Sequence, residues 1–252
     1  MSLVLDGVRK SFGGLCVVDG VGFAAGAREI TGLIGPNGAG KSTLFAVVSG
    51  FLPADAGSVE FERVALGGMS VQARARRGIA RTFQVPRPFA HLSARENLMA
   101  AAPRQPGERV VNLLLRRGTV GRREAEVGAR ADELLAFLGL SHLAEGRAGA
   151  LSGGQQKLLE LGRALMTEPR FMLLDEPFAG VNPVLIEEIS GRIRTLQAEG
   201  MGFLVVEHNL PALSRLAGRM LVMDRGRLIA SGTPEKVLAD PVVQDAYVGG
   251  SP

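Results

Sequence analysis

Eight residues from Gly35 to Ser42, GPNGAGKS, fit the pattern G-x-x-x-x-G-K-[ST]. Glycines at these spacings let consecutive backbone N–H groups turn inward around phosphate oxygens, and a helix starting directly afterwards adds its positive end. Lys41 reaches the terminal phosphates of such a ligand, and the Ser42 hydroxyl can ligate magnesium. A phosphate cradle also needs a metal anchor and a group that activates water. FMLLDEP, Phe171 to Pro177, supplies both: an apolar strand ends in two carboxylates, Asp175 suited to the magnesium shell and Glu176 to polarising water. LSGGQQ, Leu151 to Gln156, is a second glycine-containing helix start, whose Ser152 hydroxyl and Gly153 and Gly154 N–H groups could also meet phosphate. One nucleotide already has its cradle at Gly35 to Ser42, so a second such stretch points to a dimer.

These residues need elements to hold them. LVLDGVRKSF, VGFAA, EITGLIG and SVEFERV in the first third read as short strands, rich in β-formers and punctuated by Gly and Asp. The phosphate stretch follows one of them and runs into a helix that should end near Gly50. From about Pro86 to Leu165 strand signals fade, and AEVGARADELLAFLGL has apolar residues at helical spacing with a Gly stop, so a helical insert is expected. Strands return in FMLLD, GFLVVE and RMLVMD, alternating with helical stretches, as in a parallel sheet wrapped by helices. Asn182-Pro183, Thr233-Pro234 and Asp240-Pro241 each set a capping side chain before a proline suited to the first helical position. Ser93-x-x-Glu96 and Ser152-x-x-Gln155 fit the reciprocal capping box.

The chain has 252 residues, of which 46% are hydrophobic, enough to bury the core of one large domain or a domain with a subdomain. No run approaches the roughly 18 apolar residues of a membrane span, and the first residues show no secretory signal, so a cytosolic protein is expected. A single cysteine, Cys16, excludes an internal disulfide and is expected to be a small packing residue. Three scattered histidines argue against a metal cluster. The net charge of +4 is concentrated in part in RARRG (74–78) and RRGTVGRR (116–123), expected to be solvated faces. With no Trp and one Tyr to stack on bases, nucleic acid is not an expected partner.

In this order and at this spacing, the phosphate loop, LSGGQ, FMLLDE and the histidine of LVVEH, His208, resemble the ATP-binding cassette of an ABC transporter along nearly the whole chain. LSGGQ separates that family from other P-loop proteins. The resemblance implies an α/β P-loop NTPase fold, with a RecA-like parallel core and an antiparallel β subdomain (1–85 and 166–252) and an inserted α-helical signature subdomain (86–165). It implies that ATP and Mg2+ are bound and ATP is hydrolysed. It further implies a head-to-tail dimer in which each ATP lies between Gly35, Pro36, Asn37, Gly38, Ala39, Gly40, Lys41, Ser42 and Thr43 of one cassette and Leu151, Ser152, Gly153, Gly154 and Gln155 of the other. Carried over by position, Phe12 stacks on adenine in place of the more usual Tyr, and Cys16 and Val17 make apolar contacts to the nucleotide. Gln84 then contacts magnesium and the attacking water, and His208 the terminal phosphate, completing a catalytic set with Lys41 and Glu176. Two positions depart from the family's commonest pattern: AGVN (179–182) replaces SALD, putting Asn182 where an aspartate is usual, and Lys157 stands where Arg is frequent.

GIARTFQVPRPFAHLSARENLM more closely resembles the glutamine-loop region of the larger ATP-binding subunit of branched-chain amino acid importers. The insert before LSGGQ, VVEHN and the ending DPVVQDAYVGG point the same way. That subgroup implies a second, different cassette as partner, two transmembrane permease subunits, a periplasmic or extracellular substrate-binding protein, and a peripheral position on the cytoplasmic face of the cell membrane. Other cargoes, among them urea, amides and lipopolysaccharide for export, and a soluble non-transport ABC ATPase, are the competing readings.

Overall fold

A computed structural model of the chain describes residues 2–82, 85–103 and 117–248. The chain divides into two compact units, one comprising Met1–Gln84, Arg170–Ala179 and Ile186–Pro252, the other Val85–Pro169 and Gly180–Leu185.

The first unit is built on two sheets. β1 (Ser2–Phe12) and β2 (Leu15–Gly26) form an antiparallel hairpin, closed by Gly13 and Gly14 at φ 54° and 88°, the left-handed pair that a two-residue turn requires. β3 (Ile30–Ile34) follows, then α1 (Lys41–Ser49), β4 (Ala56–Phe61) and β5 (Val64–Ala65). β4 and β5 complete a four-stranded sheet in the order β2-β1-β4-β5. α2 (Val71–Arg76) leads to β6 (Ile79–Arg81), and β7 (Phe171–Asp175), β8 (Gly202–Val206), β9 (Arg219–Asp224) and β10 (Arg227–Gly232) complete a six-stranded sheet in the order β10-β9-β3-β8-β7-β6. All its pairings are parallel except β9 with β10. Every residue of β3, β7 and β8 is buried, including Thr31 of β3 and Asp175 at the end of β7, which is why FMLL and GFLVV read as continuous apolar runs.

One core joins both sheets around α1: Leu3, Val8, Val21 and Phe61 from the antiparallel sheet pack with Leu44, Phe45 and Val48 of α1 and with Leu33, Phe171 and Leu204 of the parallel sheet. α1 ends at Gly50 as expected, with φ 86°. The expectation of a solvated RARRG fails at its first residue. Arg74 is buried, and its guanidinium donates to the carbonyls of Val47 and Val48, both at 2.7 Å, and of Leu66 at 2.9 Å. The last carbonyls of a helix lack intrahelical donors and carry its negative end, so this cation is matched by α1 rather than by a carboxylate. Burial lowers the Arg74 pKa.

The second unit contains α3 (Ala94–Ala101), α4 (Arg117–Phe137) and α5 (Gly153–Leu165). Ser93 and Ser152 both close the reciprocal capping boxes that their sequences predict. A Cβ on Gly162 would lie 2.7 Å from Leu138 and 2.9 Å from Leu98, so this glycine lets α5 pack closely against α3 and the residue that follows α4. Fully buried Asn97 of α3 accepts from the Phe89 N–H and donates to the Phe89 and Ser93 carbonyls, fixing the loop ahead of its own helix. Asn182 caps the turn ahead of α6 (Pro183–Ala198) through the Leu185 N–H.

Three shorter helices complete the first unit: α7 (Leu210–Leu216), α8 (Pro234–Leu238) and α9 (Pro241–Val248). Asp240 accepts from the Val242 N–H at the start of α9. Thr233 precedes α8 with helix-entry backbone angles but makes no side-chain cap, contrary to expectation, and nothing in the structure explains its absence. Among the described residues no helix is long and apolar enough to cross a membrane.

Candidate functional site

β3, β8 and β7 are neighbours in the parallel sheet, and the chemistry-bearing residues of the first unit leave their carboxyl ends. That edge is where ligands collect in parallel α/β sheets, because strand ends there feed loops that point the same way. β3 runs into the phosphate loop, β7 ends at Asp175 followed by Glu176, and β8 ends at Val206 followed by Glu207 and His208.

The loop itself is shaped by close backbone contacts. Gly35 has φ 147° and Gly40 φ 97°; a Cβ would fall 2.0 Å from the Met223 carbonyl oxygen at the first and 2.4 Å from that of Val17 at the second. Gly38, at φ 79°, faces open space instead. Gly40 is the N-cap of α1 without any side-chain cap, and no acidic residue occupies the helix's first turn. The amino end is therefore left free to meet an anion, whereas Ser93, Ser152 and Asn209 close their own helices. Ala39 is buried, Thr43 half-buried, and Ser42 exposed.

Lys41 is buried, and its Nζ donates to the carbonyls of Gly35 at 2.7 Å and Pro36 at 2.9 Å. Burial lowers its pKa, while the negative charges of Glu176 and Asp175 act in the opposite direction. The ammonium is thus held inside the loop, in the field of both carboxylates. A cavity of ≈ 410 Å³ opens beside Pro36, Asn37, Gly38 and Ala39, with Asp224, Arg225, Val242 and Asp245 on its other wall.

Asp175 is buried, and its Oδ2 accepts from Arg81 at 2.9 Å. Glu176 sits at φ 49°, a left-handed conformation that costs a non-glycine residue on the order of 1–2 kcal/mol. Its N–H donates to the Val206 carbonyl, and its Oε1 lies 3.1 Å from His208 Nε2. A carboxylate and an imidazole, 32 positions apart in the chain, thereby form one polar pair at the strand ends.

The donor set fits the groups a nucleotide brings. The exposed Ser42 hydroxyl and the Asp175 carboxylate are hard oxygen donors of the kind magnesium selects, and the open turn at Gly38, the uncapped α1 and Lys41 fit a polyphosphate. Phe12, at the tip of the β1–β2 hairpin, is 46% exposed, so its ring face is available for stacking; Lys10 Nζ lies 5.5 Å from its centroid. Val17 is half-buried. Cys16 is exposed, not the packing residue expected, because it lies in the outer part of the hairpin beyond the core, with its thiol 3.3 Å from the Val18 carbonyl. Gln84 lies outside the described residues.

Leu151, Ser152, Gly153, Gly154 and Gln155 belong to the second unit. Ser152 Oγ accepts from the Gln155 N–H, and the Gln155 side chain accepts in return from the Ser152 N–H. Leu151 is buried and Gly153 is open, whereas a Cβ on Gly154 would come within 1.9 Å of Leu185. The stretch therefore presents a short, glycine-lined helix start, with small residues where an approaching group needs room.

Arg81, Glu207 and Tyr247 were not singled out by sequence. Arg81 reaches Asp175 from β6, Glu207 accepts backbone N–H groups from two loops, and half-buried Tyr247 lies beside the Gly35 N–H. The one visible sign was a charged residue directly ending an apolar strand, as in LVVEH.

Comparison with known proteins agrees with this arrangement. The ABC transporter family pattern matches residues 18–179, and a pattern described as branched-chain amino acid ATP-binding cassette transporter matches residues 227–251. The chain is 41% identical to the "Probable branched-chain amino acid transport ATP-binding protein LivG" of Methanocaldococcus jannaschii, over 97% of this chain and 96% of that protein. It is 36% identical to the "Lipopolysaccharide export system ATP-binding protein LptB" of Escherichia coli, over 98% and 97%. Among solved structures, a nucleotide-free ATP-binding cassette from an ABC transporter superposes with a TM-score of 0.86 at 40% identity, covering 98% of this chain and 99% of that one. The ADP conformation of an ABC transporter cassette superposes with a TM-score of 0.86 over 99% of each chain. A phosphate loop, paired acid residues and switch-like histidine at the ends of adjacent parallel strands, together with this full-length similarity, make the chain a member of the ABC transporter family, an ATP-hydrolysing cassette.

Proposed function

We propose that this cassette powers uptake of branched-chain or closely related amino acids through separate membrane permease subunits, as the larger of two different ATP-binding chains. The observation that carries the cargo reading is the C-terminal match at residues 227–251, a segment that lies outside the general cassette pattern at 18–179. A substrate-binding protein and a position on the cytoplasmic face of the membrane belong to the same reading. Residues 86–165 serve in it as the signature subdomain, whose Leu151–Gln155 stretch meets the ATP held by the partner cassette.

In the hydrolytic step, Lys41 and the loop N–H groups hold the terminal phosphates, and Phe12, with Cys16 and Val17 near it, holds the base. Ser42, Asp175 and Gln84 would hold magnesium, which would supply charge neutralisation at the phosphates. Glu176 accepts the proton of the attacking water, and His208, hydrogen-bonded to Glu176, holds that carboxylate and meets the terminal phosphate. The pair at 3.1 Å supports this assignment of roles.

Two measurements test the reading. Glu176→Gln should leave ATP binding intact and reduce hydrolysis at least a hundredfold; hydrolysis within twofold of the parent sinks the assignment of the base. For the cargo, the cassette is assembled with candidate permeases and a second cassette of a branched-chain amino acid importer, and ATP-dependent leucine uptake into vesicles is followed. Similarity to the lipopolysaccharide export protein supports the rival cargo. Transport of lipopolysaccharide but not leucine by the assembly would replace the amino acid reading.

A further inference from the structure

Glu207 is 3% exposed, although it is a carboxylate at the end of a strand. Its Oε1 accepts from the Phe178 N–H at 2.5 Å, and its Oε2 accepts from the N–H groups of His208 at 3.0 Å and Asn209 at 3.2 Å. Phe178, itself buried, is two residues past Glu176 and belongs to the turn leaving β7, whereas His208 and Asn209 belong to the turn leaving β8. The two oxygens of one side chain therefore grip the two loops that carry the two members of the Glu176–His208 pair. β7 and β8 already fix the loops' starting points through the Asp175–Val206 register, and Glu176 adds its own N–H bond to Val206. Beyond the strands, the described backbone bonds within each loop do not cross to the other; the Glu207 carboxylate does.

We propose that Glu207 is a positioning residue for hydrolysis, a yoke that sets the separation of Glu176 and His208 by holding Phe178 N–H on one oxygen and His208 N–H on the other. The inference rests on the assignment of Glu176 and His208 to the hydrolytic step. An ionised carboxylate suits the task because both of its oxygens are acceptors only. A glutamine of the same shape has one acceptor oxygen and one donor NH2, so in either orientation one of the two loops meets donor against donor. A neutral hydroxyl would reach neither loop by the same span. The carboxylate's length places its head between the loops, so aspartate, one methylene shorter, should restore part of the grip to the near loop of His208 and Asn209 but not to Phe178.

The test compares ATPase kinetics and nucleotide affinity of the full chain as parent, E207Q, H208A, E176Q and the double variant E207Q/H208A. E207Q should lower kcat at least about tenfold, the rate equivalent of losing one charge-assisted contact, while the dissociation constant for a fluorescent ATP analogue stays within about twofold. Because Glu207 acts through the pair, E207Q/H208A should be no slower than H208A within about twofold; independent roles would multiply the two losses. An unchanged kcat in E207Q, or losses that multiply in the double variant, overturns the proposal. A parallel fall in kcat and in nucleotide affinity also overturns it, since a general loosening of the fold would weaken both. E176Q separates the two levels: if it still hydrolyses ATP at the parent rate, the assignment of the pair itself has failed, and if it is inactive while E207Q is normal, the yoke alone has failed.

Discussion

Arg81 and Asp175 form an ion pair that holds the carboxylate proposed above to anchor magnesium. Their side chains are 14% and 10% exposed, and the contact is 2.9 Å. The guanidinium is fixed from several sides: it donates to Ser49 Oγ, and it lies 5.8 Å from the Phe45 ring and 5.7 Å from the Phe51 ring. Replacing Arg81 by methionine keeps much of the side-chain volume but strands the Asp175 charge in a site with little water. Removing one partner of a buried pair costs about 3–5 kcal/mol, and the lost cation–π contacts add about 0.5–1 kcal/mol each. The positive charge of Lys41 remains in the field of Asp175 and softens the loss, so the expectation for R81M is near the low end, about 3 kcal/mol. D175N removes the need for the cation, so R81M/D175N should be less destabilised than the two single variants summed, by about 2 kcal/mol of coupling. Urea unfolding of the four proteins without nucleotide, at one pH and ionic strength, measures that coupling. A value under about 0.5 kcal/mol would refute the claim that the pair behaves as buried and would return it to the class of surface ion pairs.

Arg74→Met should destabilise the first unit by about 3 kcal/mol, because the Val47 and Val48 carbonyls at the end of α1 lose charged donors in a buried site, and urea midpoints would read the change. Gly40→Ala asks a residue with a Cβ to adopt φ 97° within 2.4 Å of the Val17 carbonyl, so nucleotide affinity should fall at least tenfold in a fluorescence titration while circular dichroism stays near the parent spectrum. The Arg95 hydrogen bond holds the Asp132 carboxyl below its usual 3.8, so its contribution to stability is present above that value and disappears as the pH falls through the lowered one. Asp132 is 54% exposed at its side chain, so solvent screening limits the term to about 0.5 kcal/mol, and D132N should flatten the acid limb of the stability curve by no more than that.

What was legible in the sequence is what is local. The helix starts at Ser93 and Ser152 could be read because each capping box is closed within four residues, and the end of α1 because Gly50 supplies its left-handed turn in place. FMLLD, GFLVVE and RMLVMD, the strands β7, β8 and β9, announced a buried parallel sheet because nearly every position in them is covered. Arg74 was misread for the opposite reason: the helix-end carbonyls of Val48 and Val47 that it meets lie 26 and 27 positions away, and nothing within RARRG marks one arginine as the buried one. Glu207 and Phe178 are 29 positions apart, and Arg81 and Asp175 are 94 apart, so neither partner carries a local mark of the other. β2 begins earlier than VGFAA suggested because its first residues pair with β1 through register shifts that break the alternation of apolar and polar positions.

The candidate site collects the places where local preference is overruled. Glu176 takes a left-handed conformation uncommon for a non-glycine residue, Glu207 is buried where a charge ought to be solvated, and Lys41 directs its donors to the carbonyls of its own loop. Two of these exceptions are held from another strand end: Val206 and His208 hold Glu176, and the turn after β7, together with its own turn, holds Glu207, whereas Lys41 is held by its own loop after β3. A parallel sheet makes this possible because consecutive strand ends fall side by side, so residues distant in sequence become mutual supports without long connecting segments. The cost of the strained Glu176 backbone, on the order of 1–2 kcal/mol, is small beside the burial of three fully covered strands, and it turns the carboxylate toward His208. Relaxing that backbone with E176G would remove the strain and the chemistry together, whereas E207Q tests the support while leaving Glu176 and its conformation to respond.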